Sequence, residues 1–276
     1  MSETLSSDTW VGPFLAPRNS ASEAKGSIHD DATATKLGFK GGTVAGSIHM
    51  DQFVPKLLEL YGEAWFETGG LSLYFTQATV DREEVQVAVT AGEDRATLQM
   101  FNREGALICQ GTAAGAADGR SEAARRMEAQ TPAAPGALRM LADMKISDEN
   151  HDLAVRLEPA ALDSLLTRIT ETTPAYQRGI FPPSLAVHIA HMTREAVMAK
   201  AATPHVGLYG ALEVQHLAGP LVAGVDYRAR TKVLKLTESP KTENVWYEVV
   251  FTHEGRDIAR VLYLLRLLKG SSPLWG

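Results

Sequence analysis

Two histidines stand out because each ends the same three letters, Ser-Ile-His, and because glycines lie between them. His29 ends the first copy and His49 the second, within the stretch GSIHDDATATKLGFKGGTVAGSIHM. An unperturbed histidine titrates near neutrality, so it can take a proton from water or return one. A glycine before a helix leaves backbone N–H groups free to bind a carbonyl oxygen. The stretch therefore combines an acid–base group with possible donors to a carbonyl.

The second histidine lies in the first of two predicted long helices. The letters GSIHMDQFVPKLLELYG, residues 46–62, predict this helix, and Pro55 should kink it or mark a second start. The letters PPSLAVHIAHMTREAVMAKA, residues 182–201, predict another helix, which begins with two prolines where a missing N–H costs little. After each helix, alternating apolar residues or β-branched and aromatic residues predict strands. The strand-like segments are LSLYFTQATV, EVQVAVT, RATLQMF, ALICQG, GLYGALEVQ, AGVDYRARTKVLKL, NVWYEVVF and DIARVLYLLRLL.

The order of elements occurs twice along the chain. Both halves show a helix followed by strands, and both contain a turn of similar letters, FNREG at 101–105 and FTHEG at 251–255. Between the halves, a segment rich in alanine, glycine and small polar residues predicts a linker. We therefore expect units at 1–115 and 141–276 joined by a linker at 116–140. The pattern favours duplication of an α+β unit, a helix wrapped by an antiparallel sheet.

Composition excludes several classes of function. The net charge is -6, and no cluster of lysines and arginines is present, which argues against nucleic acid or a polybasic membrane surface as partner. Cys109 is the single cysteine, so the chain has neither an internal disulfide nor a zinc site built from cysteines. The first residues lack a signal-peptide pattern, and no apolar run of about 18 residues occurs. These features predict a cytoplasmic protein.

Residues 27–47 resemble the hydratase motif of the MaoC-like dehydratase family, which includes (R)-specific enoyl-CoA hydratases. The matching residues are Ile28, His29, Asp31, Ala34, Gly38, Phe39, Val44 and Gly46. The resemblance implies a hot-dog fold, and the duplication extends it to a double hot-dog over nearly the whole chain. It also implies a lyase that adds water to an enoyl thioester or removes it from a 3-hydroxyacyl thioester. We expect acyl-CoA as the substrate, no cofactor or metal, and a homodimer.

The resemblance assigns catalytic roles to residues of the motif. His29 would hold the water or act as its base, and the N–H of Gly46 would bind the thioester oxygen. Members of the family carry a catalytic Asp and an Asn shortly before the histidine, where this chain has Ala24 and Gly26. The carboxylate of Glu23, one position further back, is the expected replacement for the missing Asp.

Further residues of the motif are assigned to substrate binding or to the local structure. Those expected to contact substrate are Ser47, His49, Phe39 and Gly42. The glycines of the turn could instead serve only to allow a positive φ. Asp30 and Asp31 precede the helical letters ATATKL, so one of them should cap that helix. Asp31 also remains an alternative catalytic carboxylate.

Two other functions remain open from the sequence. A hot-dog thioesterase could use Asp51 on the first predicted helix, or Glu23, as its base. A protein that binds acyl groups without catalysis would also explain the missing Asp. The second unit is expected to be non-catalytic and to shape the acyl tunnel. Its letters SDENHD, residues 147–152, are interpreted as a turn before a strand LAVRLEP at residues 153–159. His188 and His191 lack the further ligands of a zinc site.

Overall fold

One antiparallel sheet of ten strands organises the computed structural model, which describes residues 9–275. The strands are β1 (Thr9–Leu15), β2 (Gly70–Phe75), β3 (Val85–Thr90), β4 (Ala96–Asn102), β5 (Leu107–Ala114), β6 (Glu149–Val155), β7 (Gly207–His216), β8 (Tyr227–Glu238), β9 (Thr242–His253) and β10 (Arg256–Leu268). Their order across the sheet is β1-β3-β4-β5-β2-β7-β10-β9-β8-β6. The predicted unit bounds include residues 1–8 and 276, which lie outside the described residues.

The strand order repeats about the middle of the sheet. The first five strands are ordered β1-β3-β4-β5-β2, and the last five read from the other edge are ordered β6-β8-β9-β10-β7. The halves meet where β2 pairs with β7, with Leu73 opposite Leu212. The hairpins β4–β5 and β9–β10 carry the two related turns, and Gly105 and Gly255 adopt φ values of 76° and 78° there. The predicted duplication of an α+β unit is confirmed.

Nine α-helices connect and cover the strands within residues 9–275. They are α1 (Asp31–Lys36), α2 (Gly46–Asp51), α3 (Val54–Tyr61), α4 (Trp65–Thr68), α5 (Glu122–Ala129), α6 (Pro159–Leu166), α7 (Pro174–Gln177), α8 (Pro183–Thr193) and α9 (Glu195–Met198). The first predicted long helix is divided into α2 and α3, and Pro55 lies in the first turn of α3, where proline is tolerated. The second is divided into α8 and α9 at Arg194. None of these helices is both long and apolar enough to cross a membrane.

The main core fills the space between one face of the sheet and the helices. Along β10, Tyr263 belongs to this core, whereas Leu262 and Leu264 pack on the other face with Ala123 of α5. This alternation is the period of two expected for a strand buried on both faces. Helices α2 and α8 contact each other across the middle of the sheet. The first turn of α2 therefore lies next to a helix of the second unit.

The segment 116–140 is ordered against the sheet rather than extended as a free linker. Ser121 caps α5 by accepting a hydrogen bond from the amide of Ala124 at 3.1 Å. The amide of Ala123 donates to the hydroxyl of Ser72 at 2.9 Å, which holds α5 on β2. A small-residue composition predicted flexibility, but here alanine also allows close packing of the helix on the strands.

The segment SDENHD is partly strand, so its interpretation as a turn is wrong from Glu149 onwards. Residues Glu149–Val155 form β6, and Asn150 lies opposite Thr231 of β8. The turn comes just before, at Ser147, which has a φ of 72°. Strand β6 lies at the edge of the sheet and is largely exposed, so it shows no apolar alternation. The predicted strand LAVRLEP overlaps β6 only at residues 153–155, and the other edge strand, β1, is not predicted by the sequence pattern.

Candidate active site

A cavity of about 830 Å³ lies beside the hydratase-like motif and is lined by both units of the chain. The first unit contributes the predicted residues His29, Phe39, Gly46, Ser47 and His49. The second contributes His188, His191 and Arg194 from α8 and its C-terminal end, and Tyr209 from β7. The cavity therefore depends on the packing of the second unit against the motif.

The ring of His29 is held in one orientation by the backbone of its own loop. Its Nδ1 donates a hydrogen bond of 2.7 Å to the carbonyl oxygen of Thr43, since a carbonyl can only accept. The carbonyl of His29 accepts from the side-chain amide of Asn19 at 2.8 Å. Among residues 9–275, no group is hydrogen-bonded to Nε2 of His29. This nitrogen therefore keeps a lone pair that can accept a proton.

Close contact with this loop explains Gly42. A Cβ at that position would lie 2.2 Å from the carbonyl oxygen of His29, whereas its φ is not in the left-handed region. Its amide donates to Oδ1 of Asp31 at 2.6 Å. Neither Gly42 nor Asp31 is among the residues that line the cavity. Both support the loop from behind, so the structure does not bring them to a substrate.

Helix α2 begins at Gly46, whose amide makes no hydrogen bond to another group of residues 9–275. A Cβ at Gly46 would lie 2.9 Å from the ring of Phe75, so only glycine fits without displacing that ring. In the second unit, the bridge Ile180–Val222 corresponds to Thr43–Val80. Counting from these bridges, Pro183 takes the place of Gly46 and has no N–H. Only the first unit offers this donor.

His49 forms part of the cavity wall, but its ring is buried. Its Nε2 is paired with the hydroxyl of Thr79 at 2.8 Å, and burial lowers its pKa to about 4. The ring is therefore neutral at physiological pH. Its place on the first turns of α2 agrees with the predicted contact with substrate, whereas its low pKa favours a hydrogen-bonding role over proton transfer.

Two predicted carboxylates lie away from the cavity. Glu23 is exposed and does not line it, although its neighbours Ala21 and Ala24 do. Asp51 is fully buried, does not line the cavity, and accepts a hydrogen bond of 2.9 Å from the amide of Ser184. Burial raises the pKa of Asp51 to about 7. The structure therefore brings neither carboxylate to His29.

Asp30 occupies the position before α1, as expected for a capping residue. Its carboxylate accepts from the hydroxyl of Thr33 at 2.7 Å and makes no capping bond to a helix amide. The predicted position is confirmed, but the side chain accepts from the hydroxyl of Thr33 and the amide of Gly26 instead of from an amide of α1.

No protein-family model matches the chain, and no curated protein matches it. Solved structures do. A MaoC domain protein dehydratase from Chloroflexus aurantiacus superposes with a TM-score of 0.67 at 11% identity, over 94% of this chain and 95% of the other. A conserved protein of Mycobacterium tuberculosis, described as having a double hot-dog fold, superposes with a TM-score of 0.58 at 11% identity, over 95% and 97%. This chain has a double hot-dog fold.

A third structure with the double hot-dog likeness carries a different activity in its name. An oleoyl thioesterase from Lactobacillus plantarum superposes with a TM-score of 0.50 at 11% identity, over 94% of this chain and 96% of the other. The structural neighbours are thus MaoC-like dehydratases, double hot-dog proteins and a thioesterase. At these identities the likeness establishes the fold, and the activity has to be argued from the site.

The second unit of the double hot-dog adds a hydrogen-bonded chain that the sequence did not reveal. Arg194 donates to Nε2 of His191 at 3.3 Å. Because a guanidinium only donates, Nε2 accepts and the proton of the neutral ring is on Nδ1. Nδ1 then donates to the hydroxyl oxygen of Tyr209. The phenolic proton of Tyr209 is left free to point to a ligand.

His188, His191 and Arg194 lie together in the cavity wall at the C-terminal half of α8. The pKa of His191 is lowered first by partial desolvation of its ring and then by the positive charges of Arg194, His188 and His29. The spacing of His188 and His191 was the available signal in the sequence, but it was considered only as a metal pair. Within residues 9–275, no group of three His, Cys, Asp or Glu side chains is placed to hold a metal ion.

The charge of the cavity is the reverse of the charge of the chain. Of the described residues that line it, none is an aspartate or a glutamate. Lys40, Arg168 and Arg194 line it together with five histidines. Arg266 also contributes to the wall, but its guanidinium lies 5.0 Å from the centre of the Tyr74 ring, on the face that carries α5. A chain of net charge -6 thus encloses a cavity with positive walls, which favours an anionic ligand.

Proposed function

We propose that this double hot-dog protein is a hydratase or dehydratase acting on an enoyl or 3-hydroxyacyl thioester. The observation that supports this most directly is the ring of His29. Its Nδ1 proton is held by the carbonyl of Thr43 at 2.7 Å, so the lone pair of Nε2 is available in a cavity that can hold an acyl chain. This is the arrangement that a general base for water requires.

In the hydration direction, Nε2 of His29 takes a proton from water while the water oxygen bonds to the β-carbon. The electron pair of the double bond moves towards the thioester carbonyl and gives an enolate. The free N–H of Gly46 donates to the enolate oxygen, aided by the dipole of α2. The imidazolium of His29 then returns its proton to the α-carbon, which completes the addition of one water molecule.

In this scheme His29 carries out both proton transfers, because no carboxylate of residues 9–275 lines the cavity. The role expected for Glu23 would require its loop to move. Tyr209 is proposed to position the water instead, with its hydroxyl donating to the water oxygen. Burial raises the pKa of Tyr209, so the hydroxyl keeps its proton at neutral pH and serves as a donor.

Coenzyme A is the proposed carrier of the acyl group. Lys40 and Arg168 are exposed and line the cavity, and no side-chain ion pair within residues 9–275 involves either of them. Two free cations at the solvent side suit the phosphates of the carrier. A homodimer remains a prediction from the sequence.

The test is hydration of crotonyl-CoA, followed by the loss of enoyl thioester absorbance, with free thiol measured in parallel. The wild-type protein should hydrate the substrate without releasing thiol. His29→Gln should reduce the rate by about 10²-fold or more without changing the unfolding temperature. Glu23→Gln is the matched control and should keep the wild-type rate, since Glu23 is exposed outside the cavity.

Other outcomes would favour the alternatives. Release of thiol without hydration would support a thioesterase, although Asp51 would have to leave Ser184 to act as its base. If neither reaction occurs but acyl-CoA raises the unfolding temperature, the protein binds acyl groups without catalysis. If Glu23→Gln is the inactive variant, the scheme with a single histidine is wrong.

A further inference from the structure

Arg194 is a cation in the wall of the cavity whose partners are all uncharged. It follows α8, and its guanidinium donates to the hydroxyl of Tyr247 at 3.1 Å and to Nε2 of His191 at 3.3 Å. The groups that influence its ionisation are the hydroxyls of Tyr247, Tyr209 and Tyr263. None of these carries a negative charge at neutral pH, since burial raises the pKa of each.

Two arginines on the sheet, in contrast to Arg194 at the end of α8, are paired with carboxylates. Arg260 contacts Glu213 at 2.6 Å, and Arg230 binds Asp257 through two nitrogens at 2.8 and 2.7 Å. Among the ion pairs of residues 9–275, none includes Arg194. Arg194 is half-buried, and withdrawing even part of a charge from water without a counter-ion is unfavourable. The unpaired guanidinium therefore indicates that its counter-ion is a ligand.

The position of Arg194 shows which part of an acyl thioester would meet it. Arg194 contacts His191 directly, and the other ring nitrogen of His191 contacts the hydroxyl of Tyr209, which we propose to hold the reacting water. The guanidinium thus lies two hydrogen bonds from that hydroxyl, in the same cavity as His29. In an acyl-CoA, the pantetheine arm separates the phosphates from the thioester by many bonds. An anion at Arg194 therefore belongs to the acyl group and not to the carrier.

Resting on the proposed function, we infer that the acyl group carries a carboxylate and that Arg194 binds it. The substrate would then be the monothioester of an unsaturated or 3-hydroxy dicarboxylic acid. A planar guanidinium matches a carboxylate by paired hydrogen bonds, which a purely apolar acyl chain could not use. The same feature explains why the cavity wall lacks acids of its own, since a carboxylate there would repel the ligand.

Binding of saturated thioesters tests this inference without requiring catalysis. Succinyl-CoA and butyryl-CoA differ in that one ends in a carboxylate and the other in a methyl group. By calorimetry, the wild-type protein should bind succinyl-CoA at least about tenfold more tightly. Arg194→Gln should abolish the preference. Arg168→Gln, which removes an exposed cation, should weaken both ligands and keep the preference.

A second comparison distinguishes the acyl carboxylate from the phosphates of the carrier. The N-acetylcysteamine thioesters of succinate and butyrate contain no phosphate, and the preference for succinate should persist with them. Equal binding of the two acyl groups by the wild-type protein would overturn the inference. So would an equal loss of affinity for both CoA thioesters in Arg194→Gln, because Arg194 would then bind the carrier.

Stability of the free protein gives a control for the variant. Removing an unpaired cation should leave the unfolding temperature of Arg194→Gln unchanged or higher. If that variant does not fold, Arg194→Lys keeps the charge but loses the paired geometry, and its preference should fall below that of the wild type. If Arg194→Gln does not fold and Arg194→Lys keeps the full preference for succinyl-CoA over butyryl-CoA, the proposed paired contact with the carboxylate is wrong.

Hydration assays separate the two proposals. Fumaryl-CoA should be hydrated with at least about tenfold higher kcat/KM than crotonyl-CoA. If the protein prefers succinyl-CoA in binding but hydrates neither enoyl thioester, the proposed activity is wrong and the carboxylate site at Arg194 is supported. Hydration of both enoyl thioesters at equal efficiency, without a binding preference, would keep the activity and remove the carboxylate site.

Discussion

Oδ1 of Asp51 accepts a hydrogen bond of 2.9 Å from the amide of Ser184, and this contact joins the two central helices across the two units. Helix α8 begins after Pro182 with Pro183, and prolines have no N–H. Ser184 therefore provides the first amide of the helix, and the carboxylate on α2 satisfies it in the way that a capping residue would. A residue considered as a catalytic base is thus a structural contact.

Replacing Asp51 by Asn should change the pH dependence of stability. The pKa of Asp51 is raised to about 7 in the folded protein, whereas an unfolded aspartate has a pKa of about 4. Between these values the folded state binds more protons, so the free energy of unfolding of the wild type falls as pH rises. An asparagine cannot ionise, so the free energy of unfolding of the variant should rise relative to that of the wild type between pH 4 and pH 7, by at most about 4 kcal/mol. Urea unfolding at each pH measures the difference, and a constant difference would contradict the prediction.

Replacing His216 by Phe should have the opposite pH signature. The ring is buried against Trp65 and Phe66, with centroid distances of 5.4 and 5.8 Å, and burial lowers its pKa to about 4. As pH falls from about 6.5 to 4, the unfolded histidine takes up a proton that the folded one does not. The free energy of unfolding of the wild type should therefore fall over this range. The fall should be smaller in the variant, by at most about 3 kcal/mol.

The same urea experiment checks the His216→Phe variant. Both ring nitrogens of His216 are buried without a hydrogen bond to any group in residues 9–275, so the substitution removes unsatisfied polar atoms. At pH 7 the stability of the variant should equal or exceed that of the wild type, and hydration should be unaffected because His216 does not line the cavity. If the variant loses as much stability as the wild type on acidification, protonation of His216 is not the cause of the loss.

Replacing Gly42 by Ala should damage the site from behind. The new Cβ would lie 2.2 Å from the carbonyl oxygen of His29, so the loop must shift and Nε2 with it. We expect the free energy of unfolding to fall by about 1–3 kcal/mol. We also expect the hydration rate to fall, because Nε2 of His29 is displaced. Gly41→Ala is the matched control, because its nearest atom, Oδ1 of Asp31, is 3.3 Å away. If Gly41→Ala and Gly42→Ala lose stability and hydration rate to the same extent, the close contact of Gly42 with the carbonyl of His29 is not the cause.

Replacing Tyr209 by Phe should reduce kcat by about tenfold. The change deletes the hydroxyl that accepts from Nδ1 of His191 and that we propose to hold water. A positioning role predicts that the shape of the pH profile of kcat/KM is the same in the variant as in the wild type. Tyr263→Phe is the comparison, because Tyr263 does not line the cavity and its hydroxyl donates to the carbonyl of Val187 at 2.6 Å. An equal loss in both variants would indicate a structural effect.

Local patterns predicted most of the strands and the duplication. The hairpin turns FNREG and FTHEG lie at equivalent places in the two halves, and alternation identified strands that bury one face. Strand β1 was not predicted, and β6 was predicted only over its last three residues, because an edge strand need not alternate: β6 is exposed along most of its length. The break in the first long helix was predicted through Pro55, since proline acts on the backbone of its own turn.

The motif loop and the position of His29 could be predicted from the sequence, because they depend on residue types that act on near neighbours in the chain. The double hot-dog fold was predicted from the resemblance of this motif and from the repeated order of elements. Only the packing of the folded chain places Glu23 outside the cavity, pairs Asp51 with Ser184, and brings Tyr209 and Arg194 into the cavity wall. These side chains meet only where α8 packs against α2. No spacing within either helix encodes that Asp51 holds the helices together or that no carboxylate of residues 9–275 lines the cavity.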